Sequence, residues 1–477
     1  MKRASLGVLV LGAIAALTSA PGAALANGRF PAAQQVVLGP GSRSDVIALR
    51  TTFGMLVSRD GGRSFAWFCE DLLFFPFVPG LAFDPPVEVS SRGEVVLGFE
   101  DGAHALTDGC SVSNLDSVSH REITDLAATP DGATMYASES TAGSRSYLLR
   151  ADPSLVFRRM GDGVDRLRFV TVEVAASRPE RVYASGFDDS PSRTPRLVRS
   201  DDGGATLVGI TPTESLGDLA YISGVDPTNP DVVYVRVVEG LGSTLLRSAD
   251  GGDHLAVVAR TTDPMLAFAL SDDGATVWYG SAEGGLYRST DRGLHYTSIG
   301  TIPALGLRFH GGALWLVTDW LRQPWALGRS MDGGEHFEPV LRFEDVPGPP
   351  TCASPSEATS ICIDRWPAFR STIEPPMRPD AGAPSDASSN PDAAASGDIP
   401  VSSDAGVLAD VPGAPDDGES VADAAAPTDT GTARISVGRD CGCRAGPAPS
   451  MGGGWAAALL AIVARRRRRV SIATGLQ

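Results

Sequence analysis

One eight-residue pattern recurs along the chain and limits what it can fold into. Ser58-Arg59-Asp60-Gly61-Gly62-Arg63-Ser64-Phe65 returns as 200–207, 248–255, 289–296 and 330–337. The shared form is Ser-x-Asp-x-Gly-x-x-aromatic or leucine, and its fixed positions are Ser58, Asp60, Gly62 and Phe65; Ser200, Asp202 and Gly204; Ser248, Asp250 and Gly252; Ser289, Asp291, Gly293 and Tyr296; Ser330, Asp332, Gly334 and Phe337. Each copy follows a short apolar stretch such as Leu286-Tyr287, so it reads as the turn of a β-hairpin. The glycine supplies a backbone conformation that costs other residues energy. The serine hydroxyl and aspartate carboxylate bond to the turn's main chain, and the terminal apolar residue fills the space between units. On this reading the aspartates are structural rather than catalytic.

The gap from 58 to 200 is too long for one unit, and two decayed copies fit inside it. Ala105 to Cys110 keeps the strand, Asp108 and Gly109; Leu148 to Pro153, with Phe157, keeps the strand, Asp152 and an aromatic. Starts then fall at 58, 107, 151, 200, 248, 289 and 330, at intervals of 41 to 49 residues. Four-stranded propeller blades run about 40 to 50 residues. A further strand precedes most copies, and no long stretch shows helical periodicity. The expected fold class is all-β, a closed seven-bladed β-propeller over 27–347.

The octapeptide resembles the Asp-box, or BNR repeat, of β-propellers such as sialidases, sortilin-type receptors and photosystem assembly factors. That resemblance implies box aspartates lying away from the ligand face.

Outside the repeats, 1–26 reads as an export signal: Lys2 and Arg3, an apolar core from Leu6 to Leu17, and Ala24-Leu25-Ala26 for cleavage. Export permits disulfides. Cys69 and Cys110 lie near outer hairpins of adjacent blades and are expected to pair, leaving Cys352 and Cys362 to close a short loop within an extension at 348–370. Sequence alone does not fix connectivity.

From 371 to 438 the composition turns to Ala, Pro, Ser, Gly and Asp, with an aspartate at every sixth position from 380 to 416 and no aromatic residue. Such a segment buries too little apolar area to offset ordering, and reads as an extended spacer. The stretch 439–477 holds Cys441-Gly442-Cys443, an apolar run from Met451 to Ala464 shorter than a stable span, and Arg465 to Arg469. This order resembles the MYXO-CTERM sorting tail of myxobacteria. The resemblance implies trimming within the membrane and surface anchoring through the region of Cys441 and Cys443.

Charge excludes one class of partner. Residues 27–370 hold 44 acidic residues against 29 arginines, a field that repels phosphate backbones, so nucleic acid is not an expected partner. Lysine occurs only at position 2, which removes Schiff-base and P-loop chemistry from the mature chain. His254, His295 and His336 share the seventh position of three boxes and should sit apart around a rim. Zinc spacings are absent, and neither a metal nor a cofactor is expected. Of a sialidase motif only Gly28-Arg29-Phe30-Pro31 remains.

The long loops are Phe187 to Pro195 and Asp319 to Trp325. Trp320, Arg322 and Trp325 are the candidate ligand contacts, in the manner of aromatic and arginine hot spots; the bland reading has these tryptophans covering a blade edge, with Trp315 in the core. The functional expectation is a cell-surface, non-catalytic module for extracellular polysaccharide or a surface protein, with the membrane contacted through the tail. The alternative is a secreted glycoside hydrolase, sialidase-like or another Asp-box glycosidase. Carboxylates and arginines meeting at one mouth of the channel would favour the enzyme.

Overall fold

The structure is a computed structural model that describes residues 30–73, 84–212, 214–353 and 357–373. It is an all-β, seven-bladed propeller. Six sheets have four antiparallel strands; in the third, the outer strand is split into Arg158–Arg159 and Val164–Asp165. Blades 1 to 7 occupy 33–68, 87–114, 123–165, 167–210, 219–261, 265–300 and 306–341, and in each the strands lie side by side in chain order. All seven repeat starts fall where the third strand ends, including the two decayed copies after Leu106 and at Ala151.

The innermost strands are Ala33–Leu38, Val87–Val89, Ile123–Ala128, Leu167–Val174, Leu219–Val225, Met265–Leu270 and Gly306–His310. They touch in cyclic order, and the last meets the first, so the ring is closed. Antiparallel order puts the turns between strands 1 and 2 and between strands 3 and 4 at one end of every blade. The turns between strands 2 and 3, and the links to the next blade, lie at the other end. The propeller therefore has a box face and a face opposite it.

Apolar residues between neighbouring sheets form the core, with fully buried Tyr136, Tyr183 and Tyr234 on the second strands of blades 3 to 5. Box glycines pack against the preceding blade. Gly252, at φ +100°, would bring an added Cβ to 2.8 Å from Ile210 of blade 4.

Among the described residues no strand is exchanged across the seam between blades 7 and 1. The chain leaving blade 7 closes it instead. Gly348 accepts a hydrogen bond from the Trp67 amide at 2.8 Å. Helix α2 (Glu357–Ile373) then packs on α1 (Glu70–Leu73), which follows the outer strand of blade 1. Trp366 and Phe369 meet Trp67, and Phe369 also meets Phe53.

The cysteine pairing differs from expectation. All four form disulfides, but as Cys69–Cys362 and Cys110–Cys352, with Cα separations of 5.4 and 5.9 Å. The segment after blade 7 runs back along the outer edges of blades 1 and 2, which brings each late cysteine to an early one. Two disulfides in this position mark a chain folded in an oxidising compartment.

Helix α2 is also a departure. Its 17 residues include Pro367, and its buried side is set by Cys362, Ile373 and the two aromatics rather than by a regular apolar stripe. It runs on through Ile373, so the first three residues of the expected spacer, 371–373, are helical. The expected signal (1–26), the remaining spacer (374–438) and the tail with Cys441 and Cys443 lie outside the described residues.

Candidate functional site

The boxes use up their own chemistry. In the five complete copies the serine Oγ donates to the aspartate Oδ1 at 2.6 to 2.8 Å and accepts the amide of the fifth-position glycine at 2.8 to 2.9 Å. Main-chain amides further along the turn also bond to that Oδ1. The remaining oxygen, Oδ2, takes the side chain at the seventh position: Ser64 at 2.6 Å, Thr206 at 2.7 Å, and the Nδ1 of His254, His295 and His336 at 2.6, 2.7 and 2.7 Å.

These histidines are thus donors equivalent to serine and threonine, a role that sequence reasoning missed. Hydrogen bonds from the His254 amide and ring push Asp250 down to about 2, and Asp250 in turn raises His254. Among the described residues no group of three or more His, Cys, Asp or Glu could hold a metal.

A second set of bonds joins blades on the box face. The second residue of the second strand in blades 3 to 6 reaches a turn carbonyl of the next blade. Tyr136, Tyr183 and Tyr234 donate their hydroxyls to Pro179, Pro230 and Arg292 at 3.0, 2.7 and 2.8 Å, and the Trp278 indole donates to Gly333 at 2.9 Å. Beside Trp278 an open groove of about 510 Å³ lies between blades 6 and 7, lined by Asp272, Asp273, Arg288 and Phe309.

The opposite face carries the larger cavity, about 550 Å³, at the mouth of the central channel. Six inner strands line it, and blade 2 adds Asp84 and Pro86 just ahead of its own. How the sequence builds this wall is visible in strand register. The inner strands of blades 1, 3, 4, 5 and 6 each slip by one residue near the mouth, at Gln34, Thr124, Val170, Ser223 and Leu266. All five slipped residues line the cavity. A bulge re-aims the side chain it carries, which is why bulges gather beside binding sites.

The lining is polar and mixed in charge. Asp84 and Asp125 stand with Arg50 and Arg236, beside Gln34, Gln35, Thr171, Tyr221 and Phe268. Gln34 Nε2 donates to Asp84 at 2.9 Å, while its Oε1 is buried and has no hydrogen-bond partner. Arg50 donates to the Pro85 carbonyl at 3.0 Å; Arg236 donates to the Met265 carbonyl and lies 4.3 Å over the Tyr221 ring. Asp125 accepts the Val172 amide at 2.9 Å, tying blade 3 to blade 4.

Two more acids, Glu88 on the inner strand of blade 2 and Glu173 on that of blade 4, lie close by, and Arg308 of blade 7 acts on both. These carboxylates are ringed by protein yet stay partly open to the channel. Burial pushes Asp125 up to about 7, and burial together with the Asp125 charge pushes Glu173 up to about 8. Glu88 is raised by burial as well. At neutral pH the cluster therefore holds protons that ordinary carboxylates have lost.

The candidate contacts Trp320, Arg322 and Trp325 lie in the turn between strands 2 and 3 of blade 7, on the same face as this cavity. None lines it. Trp320 donates its indole to the Pro31 carbonyl at 2.7 Å and stacks on Phe30. Trp325 is buried and packs against Phe337. Arg322 is exposed and forms a two-pronged pair with Glu283 of blade 6, at 2.8 and 2.9 Å. Both tryptophans thus serve the seam and the blade. The channel residues carried no signal in the sequence, because isolated Gln, Asp and Arg on short strands follow no motif.

No family model matches the chain, and no curated protein matches it. Among solved structures it is similar to a GH74 enzyme of Niastella koreensis, at 14% identity and TM-score 0.33 over 64% of this chain. The matched region spans 62% of that enzyme's length. A nidogen/laminin complex is similar at 10% identity and TM-score 0.35, over 51% of this chain and 91% of the other. The GH74 xyloglucanase of Xanthomonas campestris is similar at 12% identity and TM-score 0.25, over 68% and 74%. Likenesses this distant carry no argument about what the chain does.

Proposed function

We propose that this protein is an exported, surface-anchored Asp-box propeller that binds extracellular polysaccharide at the channel mouth. The observation that carries the reading is the 550 Å³ cavity, within the 300–1,000 Å³ usual for ligand sites. It has few charges, many hydrogen-bonding groups and two aromatic rings, a lining suited to hydroxyl-rich ligands. The self-contained bonding of the boxes supports their family resemblance and leaves them no part in binding. Anchoring rests on the tail sequence, the Cys441-Gly442-Cys443 and arginine pattern.

The test is a glycan panel applied to the full chain, with bound sugar and released sugar followed together. Binding without release, weakened at least tenfold by D125N, supports the module. A surface protein as the ligand would appear as silence across the whole panel.

Glycoside hydrolysis is the second reading, favoured by one specific observation. Asp125 and Glu173 occupy adjacent blades in the channel with raised proton affinity, as a general acid requires. Release of reducing sugar that is lost in E173Q and D125N would establish it and displace the binding module.

A further inference from the structure

We propose that the groove between blades 6 and 7 on the box face is a docking surface for an arginine-bearing turn of a partner protein. The inference is independent of the sugar reading, which concerns the other face. Its ground is a missing turn. The turns between strands 1 and 2 run from five to eight residues in blades 1 to 6, but in blade 7 only Gly311 and Gly312 separate the strands. In blades 1, 4, 5 and 6 that turn caps the box of its own blade. The amide of the fourth box residue donates to the carbonyl of Asp45, Glu180, Asp231 or Ala275 at 2.8 to 3.1 Å. Blade 7 lacks that carbonyl, and the amide of its fourth box residue, Gly333, has no hydrogen-bond partner among the described residues. The box side chains are satisfied there as elsewhere; one main-chain donor is left over, on a residue that lines the groove.

Beneath the gap lie the stacked rings of Trp278 and Phe309, 5.4 Å apart. A turn laid over them supplies the carbonyl that the other blades supply for themselves. The rim sets the charge of that turn. At the preceding seam the fourth box residue is Arg292, whose guanidinium reaches back to Asp226 of blade 5 at 2.7 Å. Between blades 6 and 7 its place is taken by Gly333. Asp272 and Asp273 of blade 6 line the groove, are exposed, and carry no ion pair among the described residues, while Arg288 is paired with Glu335 at 3.0 Å. An arginine arriving with the turn restores the cation missing at this seam. The chain's own spacer, with twelve acids against two arginines over 371–438, is poorly matched to an acidic rim, which leaves a separate protein as the occupant.

The experiment titrates the full chain into a labelled peptide of sequence 175–181, Ala-Ala-Ser-Arg-Pro-Glu-Arg, the turn that caps the box in blade 4, cyclised to hold it as a turn. Fluorescence anisotropy reads binding. Saturable binding is expected, at least tenfold weaker when both peptide arginines are replaced by alanine and at least tenfold weaker in D272N/D273N. Replacing Gly311-Gly312 with the same seven residues fills the groove from within, and should abolish peptide binding.

No binding to the parent chain would overturn the docking surface, as would undiminished binding to the variant with the longer turn. Equal binding of the alanine peptide, or no effect of D272N/D273N, would overturn the arginine assignment. A dimer in sedimentation that the longer turn dissolves would make the occupant a second copy and overturn the separate partner. Unchanged near-ultraviolet circular dichroism separates loss of the site from loss of fold, and D272N/D273N decides alone if the longer turn does not fold.

Discussion

At the seventh box position the chemistry asks for a side-chain donor and is indifferent to which. Ser64, Thr206 and His254 all complete the same carboxylate. H254S should therefore keep the thermal midpoint close to that of the parent, whereas H254A should lower it. The raised affinity of His254 for its proton adds stability that is full below the ordinary imidazole value of 6.5. That stability fades as pH rises through the higher native value. Asp250 behaves in the opposite sense, its contribution being lost as pH falls from 3.8 through about 2. An NMR titration in which the His254 ring changes charge at or below 6.5 would contradict this account.

Within and between blades, each element is locked by bonds that reach only to its neighbour. The tyrosine hydroxyls of blades 3 to 5 do this on the box face, and Asp125 does it at the channel. Y136F removes one such bond and leaves the Pro179 carbonyl to be satisfied otherwise. Urea unfolding should show a loss of about 1 kcal/mol. A loss of the same size is expected from Y234F, because the two positions make the same bond two blades apart.

For the molecule as a whole, stability depends on how the ring is closed and on what the channel holds. The two disulfides and α2 replace the exchanged strand that could have sealed the seam. Their loops, with sequence separations of 293 and 242, are long. On loop entropy the double variant C69S/C362S should lose about 3–5 kcal/mol, read as a shift in denaturant midpoint.

The channel acids act on pH in the other direction. Carboxylates that bind protons more tightly when folded make stability fall as pH rises from about 4.5, the unfolded value, to about 8. E173Q should flatten that decline, which unfolding measured at pH 5 and pH 8 would reveal. A parallel shift of both values would show instead that Glu173 acts only through packing.

The number of blades, their order and the end of every third strand were legible in the sequence. A box satisfies its own polar groups within eight residues, so its whole physical requirement is written locally. The same holds for glycines such as Gly252, whose backbone conformation is local. The disulfide partners were not legible, because connectivity depends on where the chain after blade 7 travels. Helix α2 escaped notice because its buried side is defined by blade 1 and not by its own spacing. The channel site was the least visible feature. Gln34, Thr124, Val170, Ser223 and Leu266 belong to five different blades, and what gathers them is a one-residue slip in strand pairing. Register is decided between strands, and ring closure then brings the slipped residues together; neither is a property of any one segment.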